Sequence, residues 1–532
     1  MRTRSLLLPL FVITLVVSVT AQSRPPLTDA HITDIARLLQ LEDTRQFDAE
    51  ALTSLLASSH PEVRRRAIMS VGRIVNPGGL ALLEPYKADA NPEIVATVAF
   101  AMGQLKDPAG VPWLAQTMGA YSRNAAAAFE AARALGKVRT PESWQALSTF
   151  VTSAPDTAPA RAVVGEALLS LGRFTPGEPI DPVVKWMAST DAEVRWRAAW
   201  ALFRARNPAA VPHLMKMTED PSGEVRFWAV RGLAPAQVTA HASPELTLAT
   251  ASARLRALVK DSDRRVRTEA LRVLTAYDDD ASVAVVVAAL DDPDTWMSVS
   301  AAESLGRHTT RVDQIAPRLQ AAMADGRPAA LRTVAKQQLS RLTTPPAPPR
   351  QGGAGRGGRA PGGSVGSELG YIRTPEDYRR IVERWIVPAY NGAPRPRAVW
   401  TSEKGEFELE LFAADAPLGM EELVRLTETG AIVGTMFSRV VPNFVAQQAT
   451  ISNAKAIASR LRDEVNRHGL TRANLAWASS GLDTGRPGYT LGNTPQPHNE
   501  GDFTSLGRVV RGMDVVDRLE LGDTVTAARM VK

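Results

Sequence analysis

The chain has 532 residues, 44% hydrophobic and 22% charged. That is an ordinary balance for globular protein and too long for one core, so several domains are expected. Cysteine is absent, which excludes disulfides, thiolate nucleophiles and cysteine-ligated zinc, and a formal charge of +6 spread over such a length is weak support for nucleic-acid binding.

Arg2 and Arg4 precede an apolar run from Leu6 to Val17, and Val19-Thr20-Ala21 places small residues before Gln22. This is the pattern of a signal peptide over residues 1–21. A transmembrane anchor is the alternative, but the run is short for a span of about 20 residues. The expectation is an exported chain, periplasmic or extracellular, with no stable membrane span after cleavage.

One phrase then recurs between about residues 50 and 342. It stands as Pro61-Glu62-Val63-Arg64-Arg65-Arg66-Ala67, Asn91-Pro92-Glu93-Ile94-Val95, Asp191-Ala192-Glu193-Val194-Arg195-Trp196-Arg197-Ala198 and Ser222-Gly223-Glu224-Val225-Arg226-Phe227-Trp228-Ala229. It returns as Arg265-Val266-Arg267-Thr268-Glu269-Ala270 and Met297-Ser298-Val299-Ser300-Ala301-Ala302. Val63 to Ile94 is 31 residues, Val194 to Val225 is 31, and Val266 to Val299 is 33. A fixed period of this size means stacked supersecondary units.

Each phrase reads as a helix start. Asn91, Asp191 and Ser222 are N-cap types, Pro61 and Pro92 suit the first turn, and glutamate there faces the positive end of the helix dipole. Val194, Ala198 and Leu202 fall four apart, as do Val225, Ala229 and Leu233, and Val266, Ala270 and Leu274: one buried stripe per helix. Leu135-Gly136, Leu171-Gly172 and Leu305-Gly306 predict glycine caps in the left-handed conformation. The pattern resembles HEAT repeats, particularly the short bacterial kind related to phycobilisome-lyase repeats. The resemblance implies an all-α solenoid over residues 27–342 whose concave face holds a protein; the sequence does not identify that partner. Charged runs such as Arg64-Arg65-Arg66 are expected to be solvated or paired between repeats, and Asp291-Asp292-Pro293-Asp294 to be a turn and cap.

Residues 343–369 form a Pro/Gly-rich linker. Its Gly352-Gly353-Ala354-Gly355-Arg356-Gly357-Gly358-Arg359 is RGG-like, but composition alone is thin support for RNA binding in an exported chain, and no nucleic-acid partner is expected. A helical lead-in follows over 371–397, with helix over 371–390. Polar and apolar residues alternate through Gly405-Glu406-Phe407-Glu408-Leu409-Glu410-Leu411-Phe412, a half-buried strand. Residues 420–429 and 454–464 read as helices.

In Phe437-Ser438-Arg439-Val440-Val441-Pro442-Asn443-Phe444-Val445-Ala446-Gln447 one arginine sits among apolar residues. In a single strand Arg439 and Gln447, an even number apart, share a face, and Phe444 joins them if Pro442-Asn443 bends the chain. The outcome is an apolar floor with two hydrogen-bonding groups at its edge.

This stretch, with Leu411-Phe412-Ala413-Ala414-Asp415-Ala416-Pro417, Leu475-Ala476-Trp477-Ala478-Ser479-Ser480-Gly481, the run Pro495 to Val510 and Gly512-Met513-Asp514-Val515-Val516-Asp517, resembles the cyclophilins, in family order, over 398–532. The resemblance implies a closed antiparallel β-barrel flanked by two helices, and prolyl cis/trans isomerisation of proline-containing polypeptides. It assigns Arg439 as the catalytic residue, donating to the prolyl nitrogen. Gln447 would hold the substrate carbonyl and Phe444 the proline ring, with Val445, Ser479, Ser480, Thr490, His498 and Phe503 completing the substrate site. No metal or cofactor is implied.

The chain also departs from the family pattern. Ser438 stands where histidine is usual, Gln448-Ala449-Thr450 where Gly-Gly-Asp follows, and Gly488 where glutamine stands. Thr490 replaces a pocket phenylalanine, which removes about 1–3 kcal/mol of apolar contact. Two readings result: an exported isomerase that assists folding and carries a protein-binding arm, or a weak or inactive peptide-binding scaffold.

Overall fold

The computed structural model describes residues 24–174, 177–343, 373–451 and 461–531. The expected signal and the linker after Thr343 lie outside these. Among the described residues no helix is long and apolar enough to cross a membrane.

The repeats are helical from Asp29–Thr44 to Ala329–Thr343. The phrases start helices for the local reasons given. Asn91 and Asp191 accept from the N–H groups of Glu93 and Glu193, and Asp294 caps Thr295–Leu305 through the Trp296 N–H. Pro61 and Pro92 occupy first turns; Ser222 begins its helix without a side-chain cap. The three stripes of apolar residues are buried throughout.

None of the three glycines is a left-handed cap, although Gly172 and Gly306 do close their helices. Gly172 and Gly306 have φ of −67° and −62°, and Gly136 lies inside helix Ala125–Val138. The left-handed C-caps are held by Arg45, Val75, Lys106, Arg139, Arg206 and Ala242. What glycine permits here is close packing. A Cβ on Gly72 would stand 2.7 Å from the Cα of Ala101, and one on Gly103 or Gly136 would stand 2.9 Å from the Cα of Ala134 or Ser170. Successive helices touch backbone to backbone at these points.

Helix Pro375–Ile381 runs through a π-helical turn, Val382–Ile386, into Val387–Tyr390. Eight strands follow: β1 (Arg397–Ser402), β2 (Gly405–Leu411), β3 (Phe437–Val441), β4 (Val445–Gln448), β5 (Asn474–Ala478), β6 (Arg486–Gly492), β7 (Ser505–Arg511) and β8 (Val525–Met530). They form one antiparallel sheet in the order β3-β4-β6-β5-β7-β2-β1-β8. The ends, β3 and β8, share no ladder. They meet at one isolated bridge, Met436 to Thr524, where the Phe437 N–H donates to Asp523 O at 2.7 Å. The expected closed barrel is thus a curled sheet without continuous pairing at its seam. Trp400, Phe407, Trp477 and Tyr489 fill its interior, and helices Pro417–Glu428 and Met513–Val516 flank it.

Two helix expectations need correction. Helix Pro417–Glu428 starts earlier than residue 420, because Pro417 fits a first turn that needs no N–H. Of 454–464, the part before 461 lies outside the described residues, and 461–464 are not helical. Tertiary hydrogen bonds override propensity there. Asp463 accepts from the Asp483 N–H and Thr504 Oγ1, and Glu464 accepts from the Leu418 and Gly419 N–H groups, capping Pro417–Glu428 from a distance.

The repeats hold the chain's own C-terminal sheet. Arg66 donates to Ala414 O, Arg73 to Asp415 O at 2.7 Å and Val465 O at 2.9 Å, and Arg133 to Arg467 O at 3.0 Å. Arg173 reaches Pro497 O and Glu500 O, and Arg264 reaches Asp517 O at 2.7 Å. In return Arg467 pairs with Glu93 and Glu130. The expectation for basic phrases holds for Arg64 with Asp89, Arg195 with Asp220 and Arg226 with Asp261. It holds for Arg73 as well, which pairs with Glu42 on helix Asp29–Thr44 at 2.8 Å. It fails for Arg66, which is buried and paired within its own helix to Glu62; a planar guanidinium is weakly hydrated and can serve several groups at once.

Candidate active site

The stretch read as one strand is a hairpin. β3 and β4 pair antiparallel with Arg439 opposite Gln447, and the chain turns at Asn443, whose φ of 59° lies in the left-handed region. The Phe444 N–H closes the turn on Val441 O at 3.0 Å. Cross-strand pairing, not spacing along one strand, therefore brings the three side chains together. Arg439 Nη1 donates to Gln447 Oε1 at 3.3 Å, and the guanidinium carbon lies 5.3 Å from the Phe444 ring centre.

These residues line a groove of about 240 Å³. Val445, Ser479, Thr490 and Phe503 line it too. Thr490 stands opposite Gln447 on β6, and its hydroxyl donates to Ala476 O at 3.3 Å. Threonine at this position leaves the groove open. Ser480 and His498 lie outside the lining: the Ser480 N–H is committed to Thr484 Oγ1 at 2.9 Å, and His498 stacks behind Phe444 at 6.1 Å.

Sequence reasoning missed the loop that fixes the turn. Gln496 Nε2 and the Asn493 N–H both donate to Phe444 O, at 3.0 and 3.1 Å, and Thr494 Oγ1 donates to Asn443 O at 2.9 Å. Gln496, Asn499 and Trp477 are also groove residues. The hint was that Gln496 and Asn499 lie within the run Pro495 to Val510 and Trp477 within Leu475 to Gly481, with Asn493 and Thr494 just before that run. From the repeats, Glu303 on helix Thr295–Leu305 feels the site: burial pushes its carboxyl up, against the charges of Arg272, Arg307 and Arg439.

The groove can seat a small apolar ring on Phe444 while Arg439 and Gln447 present a charged donor and an amide at its rim. Among the described residues no cluster of three or more His, Cys, Asp or Glu could hold a metal.

Residues 398–532 match the family model of the cyclophilin type peptidyl-prolyl cis-trans isomerases, and 49–120, 81–168, 156–234 and 251–340 match that of HEAT repeats. A peptidyl-prolyl cis-trans isomerase of Helicobacter pylori is 31% identical over 132 residues, which are 23% of this chain and 80% of that one. Peptidyl-prolyl cis-trans isomerase B of Bacillus subtilis is 29% identical over 129 residues, 24% of this chain and 90% of its own. A cyclophilin type isomerase of Cryptosporidium parvum, known as a crystal structure, aligns at 15% identity and a TM-score of 0.25, covering 26% of this chain and 98% of that one. With the ordered motifs and the sheet in place, the chain belongs to the cyclophilin-type peptidyl-prolyl cis-trans isomerases and carries HEAT repeats ahead of that domain.

Proposed function

We propose that Arg439 catalyses X-Pro rotation in polypeptides seated on Phe444. Amide resonance sets a barrier of about 18–20 kcal/mol, so the uncatalysed turn takes roughly tens to hundreds of seconds. A guanidinium that donates to the prolyl nitrogen as it pyramidalises localises its lone pair and weakens the partial double bond. The interaction strengthens as the bond twists, which is the condition for catalysis. Gln447 orients Arg439 through their hydrogen bond and offers its amide to the substrate carbonyl. No nucleophile and no proton transfer is required.

The observation that carries this reading is the open groove with Arg439, Phe444 and Gln447 converging on it. A collapsed groove would have favoured the scaffold reading. In the full chain, Arg439→Ala should lower kcat/KM on X-Pro peptides by on the order of 100-fold, the scale for removing one transition-state donor. An unmodified chain that turns such peptides over at the background rate would sink the proposal.

We further propose that the enzyme is exported and assists folding outside the cytoplasm, in the periplasm or beyond the cell. The support is the basic, apolar and small-residue order of residues 2–21. Mass measurement of the mature N-terminus should find Gln22; a retained Met1 would overturn export by cleavage.

A further inference from the structure

The tip of the catalytic hairpin is held from the repeat side. Asn443 is 1% exposed. Its Nδ2 donates to Arg265 O at 2.8 Å and lies 3.5 Å from Glu269 Oε2, both on helix Arg264–Leu274. Glu269 is itself buried and held by Arg231 at 3.2 Å and Arg272 at 3.4 Å. The anchor is therefore a rigid part of the repeats.

The amide can take only this orientation, since the flipped form would aim an oxygen at a carbonyl and a carboxylate. Among the described residues Asn443 Oδ1 has no hydrogen-bond partner. The turn itself does not demand an amide, because glycine adopts φ of 59° without strain. A buried amide with one end unsatisfied is costly, and its N–H₂ makes a contact that glycine could not. Asn443 stands four positions from both Arg439 and Gln447, and Phe444 is its neighbour.

We infer that Asn443 is a positioning residue through which the repeat helix Arg264–Leu274 sets the hairpin bearing Arg439, Phe444 and Gln447. The repeats are then part of the working active unit. This inference rests on the isomerase reading of that hairpin.

The test uses the full chain with Asn443→Gly, which keeps the turn and removes the tether, and Asn443→Asp, which sets a carboxylate against Glu269. In Asn443→Gly, kcat should fall about tenfold with KM within about twofold, the cost of a small misplacement of catalytic groups. Asn443→Asp should fall further. Hydrogen exchange at residues 444–448 should quicken about tenfold in both, while amides of the buried core of helix Ala125–Val138 keep their protection. An active unmodified chain matched by both variants, or unchanged exchange in the hairpin, overturns the inference. An inactive unmodified chain would defeat the isomerase reading instead, and exchange alone would then decide: faster supports the tether, unchanged refutes it.

Discussion

At Arg439 an exposed charged side chain makes two weak contacts, Gln447 Oε1 at 3.3 Å and the face of Phe444 at 5.3 Å. Neither is a carboxylate that would bind the guanidinium tightly, so its donors remain available to a prolyl nitrogen. Thr490, across the groove on β6, is where this chain gives up apolar surface. Thr490→Phe should restore about 1–3 kcal/mol of ring contact, lowering KM for X-Pro peptides about fivefold or more with kcat within about twofold. Peptide titrations on both proteins check this; an unchanged KM would mean that the proline ring does not reach β6.

At the scale of elements, what was legible in the sequence was local. The N-cap, the first-turn glutamate and the four-residue apolar spacing are all contained within one helix, and each predicted its helix where it stands. The glycines were misread because their reason lies a repeat away, in the Cα of Ser170 for Gly136 and in the side chains of Trp200 and Gln338 for Gly172 and Gly306. The hairpin had a similar ambiguity. Arg439 and Gln447 share a face under a straight strand and under a turn at Asn443, and only pairing with β6 and the Phe444 contacts distinguish the two. Which arginines face solvent was illegible for the same reason: Arg64 and Arg66 differ only in which side of one helix they occupy. The glycine account predicts that Gly103→Val destabilises by about 1–3 kcal/mol or more, because its Cβ meets the backbone of Ala134 and the helices must part. Gly119→Val, with open space around its Cβ, is the control, and urea midpoints of the two variants measure the difference.

At the scale of the whole molecule, the seam between repeats and sheet buries ionisable groups out of their usual state. Burial pushes Asp463 up to about 6 and Glu464 up to about 7, against the pull of Arg45 and Arg73 respectively. Burial, with the charge of Arg133, pushes Lys137 down to about 7, its Nζ over the Phe100 ring. A raised carboxyl binds its proton more tightly folded than unfolded, so Asp463 and Glu464 stabilise the fold at low pH and lose that contribution as pH climbs to about 6 and 7. A depressed lysine acts in the other direction above that point: the unfolded chain holds the proton more tightly, and stability recovers as pH rises from about 7 toward the ordinary lysine value. Taken by themselves, Asp463 and Glu464 lower stability as pH rises to about 7 and Lys137 raises it above that. Asp415 runs counter to Glu464, its carboxyl held below the usual range by His468 despite burial, and contributes stability that is lost only in strong acid. Glu464→Gln removes one titration and leaves the rest. Its urea midpoint should lie below that of the unmodified chain at pH 5, and the gap should narrow as pH rises to 7, since both chains lose the Asp463 contribution but only the unmodified chain loses that of Glu464. Parallel curves across pH 5 to 7 would show that Glu464 is ionised throughout, with Arg73 and the two N–H donors outweighing burial.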